Sequence, residues 1–412
     1  MGHRDQDTLF ELPAPARRHR VIKWGGGVDS TTVIWRLLTE PQLRDFPIED
    51  MTVVIALVGE HDEYERTAEL AERHVLPLLA AHGVMTVQVA RAGDSAGEGY
   101  RVLEATRTPT RLRREVTTWS FYEFLLRNGI LPNVINRACS DKAKHFALDR
   151  FTADLTQGRP YLDMIGFELD ETARAERDLA RATALRTPWH PLRDWLMDRR
   201  ACLDYLASVT GVAEYCRSCC SFCPYQYTVR GLDALMGRWS QEPAAAARAL
   251  YLEYVALCMH PKMMLFKDLS AIALAREHGL HGALGGLAEK LADASWRVYD
   301  VRRVYPVKPG TAGEKGKALR SVRALTAPGS REQAAADLAE LAAAEGVDVE
   351  VDPFDISRAV LAPQREVYPS VSRSYVLCPA VVADKQRDRF ETVYGQLSPD
   401  GGGLSLLAEA CA

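Results

Sequence analysis

The chain has 412 residues, enough for two or three compact domains with cores of their own. Its 47% apolar and 26% charged residues are ordinary for a globular protein, and a net charge of −4 gives no global sign of nucleic-acid binding, which leaves only a local patch for such a role. No run of about 18 uncharged apolar residues occurs, which argues against a membrane span. The polar start through Arg17, Arg18, His19 and Arg20 lacks the apolar core of a signal peptide, so a cytoplasmic location is expected. Val21–Trp24 reads as a short strand ended by Gly25-Gly26-Gly27. Asp29-Ser30-Thr31 then opens a helix with apolar positions at Val33, Ile34, Leu37 and Leu38. Thr52–Val58 is β-branched and uncharged, the pattern of a strand buried on both faces. Tyr64–Ala81 is amphipathic and helical, Val84–Ala90 a third strand, and Tyr161–Phe167 a later one. The alternation implies βαβ units and a doubly wound parallel α/β sheet. From about Ala201 to Arg276 helical signals dominate, interrupted by a cysteine cluster. Val304–Lys317 reads as a loop, Arg331–Glu345 as a helix, Val347–Val351 as a strand, and Pro399–Gly403 as a mobile loop. The expected division is an extension (1–20), a nucleotide-binding domain (21–200), a helical cysteine-bearing region (201–295), and a basic linker with a small α/β portion (296–412).

The segment Lys23-Trp24-Gly25-Gly26-Gly27-Val28-Asp29-Ser30-Thr31 carries the most chemistry. Glycines between a strand and a helix let backbone N–H groups approach an anion, and the helix N-terminus adds partial positive charge. The segment is neither a Walker A loop nor a dinucleotide fingerprint. It resembles the Ser-Gly-Gly-x-Asp-Ser-Thr loop of the PP-loop ATP pyrophosphatases, with Trp24 where that family has a small Ser. Three further segments are similar to the PAPS reductase-like branch. They are Arg137-Ala138-Cys139-Ser140-Asp141-Lys142-Ala143-Lys144, Gly166 to Arg174, and Trp189-His190-Pro191-Leu192-Arg193-Asp194-Trp195. In the second of these, Glu168 stands where the branch has its first Arg. His190 before Pro191 reads more readily as a packed loop residue than as a base.

The resemblance covers about residues 20–225. It implies ATP bound by Gly25, Gly26, Gly27, Asp29, Ser30 and Thr31, with Val58 and Gly166 completing the nucleotide contacts. Mg²⁺ is expected on the phosphates near Asp29. Asp29, Ser30, Lys144 and Arg174 are the expected catalytic set. Cleavage between the α- and β-phosphates would adenylate a substrate oxygen, and sulfur would then displace AMP. By resemblance to DNA-phosphorothioation ATPases, the expected substrate is DNA and the expected sulfur donor a cysteine desulfurase. Thiolation of RNA or of a small metabolite is the alternative, as is a regulatory subunit that holds ATP without cleaving it. The terminal Glu-Cys-Gly-x-His segment of the PAPS and APS reductases is missing, and Cys411 is no substitute, so sulfate reduction is disfavoured.

Of the nine cysteines, four lie within eight residues: Cys216, Cys219, Cys220 and Cys223. Overlapping Cys-x-x-Cys pairs in a chain of this size argue for a metal or cluster over a disulfide framework. The resemblance to APS reductases and DNA-phosphorothioation enzymes implies a [4Fe–4S] cluster held by Cys216, Cys219 and Cys223 with Cys139 or Cys220, and zinc is the alternative. Arg297, Arg302, Arg303, Lys308, Lys315, Lys317, Arg320 and Arg323, interleaved with Trp296, Tyr299 and Tyr305, form a candidate nucleic-acid patch. Arg101–Arg114 is a second.

Overall fold

A computed structural model describes residues 18–132, 138–215 and 218–397. Arg137, Cys216, Cys411 and the segment 399–403 lie outside the described residues. Two compact units emerge, and they do not follow the linear division expected at 200/201 and 295/296. The first comprises Met1–Glu60, Glu65–Thr118 and Asp141–Ser218; the second comprises His61–Tyr64, Trp119–Ser140 and Cys219–Ala412.

In the first unit, among the described residues, β1 (His19–Lys23), β2 (Met51–Leu57), β3 (Met85–Arg91), β4 (Tyr100–Thr106), β5 (Tyr161–Met164) and β6 (Arg186–Trp189) form a sheet of order β4-β3-β2-β1-β5-β6. β3, β2, β1, β5 and β6 run parallel. The sheet is mixed, not fully parallel, because β4 pairs antiparallel with β3. The connection 92–99 is too short for a crossover and folds back through a turn closed by a Ser95–Glu98 capping box. β2 is buried along its whole length, as its uncharged sequence requires. One face of the sheet (Ile22, Val53, Ile55, Leu57) packs with Val33, Ile34 and Leu37 of α1 (Val28–Thr39) and with Cys202 and Leu206 of the helix Arg199–Thr210. The other face (Val21, Val54, Val87, Val89) packs with Ala147, Leu148 and Phe151 of the helix Phe146–Thr156. The helical stretch 65–81 is interrupted by a π turn at Ala71–Val75, and a second π turn, Asp141–His145, precedes Phe146.

The second unit carries a sheet of β7 (Trp296–Tyr305), β8 (Leu319–Ala324), β9 (Val349–Val351), β10 (Ser357–Ala362) and β11 (Ser370–Pro379), in the order β8-β7-β11-β10-β9. Every pairing in it is antiparallel. The helix Arg331–Ala344 packs against β7, β10 and β11. The helix Pro243–Met259 is buried almost all round. Two buried carboxylates start helices in this unit. Asp62 accepts from the backbone N–H groups of Phe121 (2.8 Å) and Tyr122 (3.0 Å) and from Ser120 Oγ. Glu253 accepts from Ala271 N (2.9 Å), Ile272 N (2.8 Å), Leu265 N (2.8 Å) and Ser270 Oγ (2.7 Å). No helix among the described residues is long and apolar enough to cross a membrane.

Candidate functional site

In the first unit the strand order runs outward from β1, to β2 and β3 on one side and to β5 and β6 on the other. The loops leaving β1 and β5 therefore diverge, and the crevice at their carboxyl ends is the position where open α/β sheets take ligands. Gly25–Gly27 occupy that position. Gly26 has φ +73°, and a Cβ there would lie 3.3 Å from Thr67 Cγ2, so this turn favours glycine on both counts. Gly27 is the N-cap of α1, with no side chain capping the helix, and the first intrahelical bond runs from Thr31 N to Gly27 O (3.1 Å). The backbone N–H groups of residues 28–30 precede that bond and have no acceptor within the helix.

Gly166, just past β5, sits against this helix start. A Cβ at Gly166 would lie 2.8 Å from Ser30 N and 2.9 Å from the Asp29 carbonyl carbon. Two of the expected nucleotide contacts, far apart in sequence, are thus neighbours in space.

Ser30 Oγ accepts from Gly25 N at 3.4 Å, closing the loop on itself. Thr31 is fully buried, and its hydroxyl accepts from Trp24 Nε1 at 2.9 Å. Its side chain therefore braces the base of the loop, and its backbone N–H is already given to Gly27 O. The same bond explains the bulky residue at position 24: the indole fills core space and ties strand end to helix. Ser218 lies beside the loop, its backbone N 3.3 Å from a Cβ placed on Gly27 and its Oγ 3.9 Å from one on Gly25. It brings a hydroxyl to the side of the glycine turn.

Asp29, in the first turn of α1, is ion-paired with Arg199 at the start of the helix Arg199–Thr210. Asp198 caps that helix by accepting from Ala201 N (2.8 Å), which fixes the backbone from which Arg199 reaches out. Nη2 of Arg199 is buried and makes no hydrogen bond. Burial, followed by the Asp29 charge, pushes the Cys202 thiol up to about 12, so it stays protonated at neutral pH. Val58 follows β2 with its side chain buried.

Arg174 stands in the first turn of the helix Thr172–Leu179, ion-paired with Glu171 and 4.7 Å over the Phe167 ring. Glu168 is buried. Phe167 meets the His190 ring edge-on at 5.1 Å. His190 Nε2 lies 2.9 Å from Asp178, and Asp178 and Asp163 both bind Arg186. Asp163 also meets Lys23 Nζ at 3.2 Å, and Lys23 reaches Asp149 at 3.1 Å. Burial opposes the charge on Lys23, but the two carboxylates outweigh it and raise its pKa. This chain of alternating charges makes His190 a packed, paired residue. Lys142 and the half-buried Lys144 lie in the π turn, with Lys142 Nζ donating to Asp94 O (3.1 Å). Arg91, stacked 4.1 Å over Phe146, donates to Gly93, Asp94 and Lys142 carbonyls.

In the second unit Cys219, Cys220 and Cys223 are half-buried, as is Cys139 in the short helical turn Ala138–Ser140. Cys223 N donates to Cys220 O (3.0 Å), and Gln226 Nε2 donates to the carbonyls of Cys220 (3.0 Å) and Ser221 (3.1 Å). Gln226 in turn accepts from the buried Tyr64 hydroxyl at 2.6 Å. Arg238 lies 3.5 Å over the Tyr64 ring and points Nη1 at Cys219 Sγ, 3.9 Å away. A buried cation beside the sulfur suits a thiolate-liganded group in donor chemistry. Among the described residues no group of three or more His, Cys, Asp or Glu side chains converges on a metal position, and Cys216 lies outside them.

The fold draws part of each candidate nucleic-acid patch into the core or into ion pairs, while Lys308, Lys315, Lys317 and Arg323 of the first stay exposed. Trp296, Tyr299 and Tyr305 are core residues of β7, and Arg302 is buried in a two-pronged pair with Glu391 at 2.6 and 2.7 Å. In the second patch Arg113 binds Glu104 (2.7 Å), Arg114 binds Glu65 (2.7 Å), and Arg107 donates to Gly83 O (2.6 Å). No protein-family model matches the chain, and no curated protein matches it.

Proposed function

We propose that the first unit binds ATP by its phosphates at Gly25–Ser30 and cleaves it to AMP and pyrophosphate. The observation that carries this reading is the left-handed glycine turn at the switch point of the sheet, with Gly166 pressed against the start of α1. Such a turn gives backbone donors and a helix dipole to an anion, at the position where α/β sheets take nucleotides.

In the reaction an oxygen of the substrate attacks the α-phosphorus. The bond to the α–β bridging oxygen breaks, and its electron pair leaves on pyrophosphate. The N–H groups of 28–30 hold the departing phosphates, and Ser30 and Ser218 add hydroxyls at the loop. Mg²⁺, when bound on those phosphates beside Asp29, neutralises the developing charge. Arg199 holds Asp29 in place before nucleotide arrives. A sulfur nucleophile then displaces AMP, which carries away the activated oxygen. Lys144 and Arg174 are assigned to the substrate anion, and DNA is the substrate class we favour, with a cysteine desulfurase as donor. Cys216, Cys219 and Cys223, with Cys139 or Cys220, would hold a [4Fe–4S] cluster, which supplies iron-bound sulfur coordination when present, with zinc as the alternative.

Pyrophosphate release from ATP by the purified protein tests the first step. Release that Asp29→Ala abolishes supports the enzyme; ATP binding without release supports a regulatory subunit instead. Mass spectrometry of digested DNA and RNA from cells with and without the gene tests the substrate. Sulfur-bearing DNA dinucleotides that vanish on deletion support DNA, a lost thiolated RNA base moves the substrate to RNA, and no change in either withdraws both.

A further inference from the structure

β7 presents two arginines that face another arginine directly across the sheet, and their surroundings differ. Arg302 is in register with Arg373 of β11. Asp300 lies between their side chains, 3.5 Å from Arg302 Nε and 3.2 Å from Arg373 Nε, and Glu391 adds a second carboxylate on Arg302. Arg303 is in register with Arg320 of β8, so these side chains stand on one face as a like-charged pair, an arrangement that costs stability unless something neutralises it. Arg303 Nη2 donates to Met259 O (2.8 Å), and Arg320 donates to the carbonyls of Gly129 (2.9 Å) and Asn128. Those carbonyls end two helices and contribute partial negative charge, but none of them carries a formal one.

More cations gather at the same place. His260 follows Met259, and Lys262 N donates to His260 Nδ1 at 3.0 Å. Lys315 Nζ stands 4.6 Å over the Tyr305 ring and 5.9 Å from Tyr368. Burial, then the charges of Arg303, Lys315 and Lys262, pushes His260 down to about 4. Burial, then Arg320, pushes Arg303 down to about 10. The leading charges on both groups are cationic.

We propose that Arg303 and Arg320, with His260, Lys262 and Lys315 at the rim, form a phosphate-binding site, in which a bound phosphate group takes the place that Asp300 fills in the neighbouring arginine pair. The phosphate belongs either to a nucleic-acid backbone or to a small phosphorylated molecule. The site lies wholly in the second unit, so it stands whether or not the ATP reading holds.

Ser372 of β11 is in register with Arg303, on the side away from Arg320. Ser372→Asp would supply the missing carboxylate, and Lys262→Ala/Lys315→Ala would strip the exposed rim without touching the core. Inorganic phosphate and a labelled single-stranded oligonucleotide are titrated separately into the full chain, with the His260 ring followed by NMR and oligonucleotide anisotropy read across salt. In the wild type, phosphate raises the His260 pKa. Ser372→Asp raises the melting temperature and abolishes that response. The double lysine variant weakens oligonucleotide binding about tenfold and lowers its salt slope by about two. Response to both probes, with lysine-dependent oligonucleotide binding, identifies a nucleic-acid backbone; response to phosphate alone identifies a small ligand. A His260 ring that ignores both probes, or affinities unchanged in Ser372→Asp and in the lysine variant, overturns the site. Pyrophosphate release from ATP is followed in the wild type and in Ser372→Asp in parallel: no release by the wild type counts against the ATP reading and leaves the phosphate titration to be read alone.

Discussion

β2 and β7 are both buried strands at the heart of their sheets, and they reach that state by opposite means. β2 reads MTVVIAL and is buried at every position with nothing to neutralise. β7 reads WRVYDVRRVY, is buried at all but one position, and brings four charged residues among its ten inside or to the edge of its sheet. The first strand is enclosed by helices on both faces and needs only apolar side chains. The second meets its charges with partners on β7 itself and on other elements: Asp300 beside Arg302 and Arg373, Glu391 over Arg302, and, with no formal charge, helix-end carbonyls under Arg303 and Arg320. Burial is therefore no proof of an apolar sequence, and a run of arginines is no proof of a surface.

The contrast can be pressed by mutation, beginning with the largest effect. Trp24→Ala removes a buried indole and its bond to Thr31, and should cost the first unit about 3–5 kcal/mol in chemical denaturation. Arg302→Leu leaves Asp300 and Glu391 with one cation fewer, and should cost the second unit about 3 kcal/mol. If Arg302→Met/Glu391→Met recovers most of that loss, the pair serves register more than stability; if it does not, the charges themselves stabilise β7. Next is a pH effect. Burial, against the pull of the Tyr122 and Ser120 donors, raises Asp62 from 3.8 to about 7. Between those values the folded state keeps a proton that the unfolded chain has released. The stability due to this group is therefore full below 3.8 and is lost as pH rises through 7. Denaturation between pH 4 and 8 should show that decline in the wild type and a flatter profile in Asp62→Asn. The smallest effect is expected at Ser330, whose Oγ caps the helix Arg331–Ala344 by accepting from Gln333 N (3.2 Å). Ser330→Ala should cost about 1 kcal/mol.

Legibility from sequence follows the same divide. β1, β2 and β3 and the helical stretch 65–81 are encoded by local periodicity, and each lies within a residue or two of its expected position. β5 ends at Met164, short of Phe167, because Gly166 must turn against α1. β4 escaped notice because it is an exposed edge strand whose Arg, Glu and Thr residues carry no apolar alternation. β7 escaped because its arginines look solvated until the partners on other elements are known. At the candidate site, Gly25–Gly27 and Asp29 announce themselves through a local motif. Arg199, 170 residues from the Asp29 it binds, and Ser218 do not, since nothing in their own neighbourhoods marks them. Thr31 shows the converse: its place in the motif gives no hint that its hydroxyl accepts from the Trp24 indole.

The interleaving of the two units governs how the chain can be made. Tyr64 emerges from the ribosome early, yet its hydroxyl partners are Gln226 and Trp239, the latter 175 positions later. Asp62 and the helix Phe121–Asn128 likewise belong with strands that end beyond residue 370. The first unit also waits for residues up to 218 to close its own core. During synthesis, then, most of the chain must leave the exit tunnel before either half can finish, which lengthens exposure to chaperones and favours post-translational completion. Cutting the gene at any single point divides at least one unit, because each is assembled from three separate segments of the chain, so a split-protein strategy for this molecule has to keep those segments together by other means.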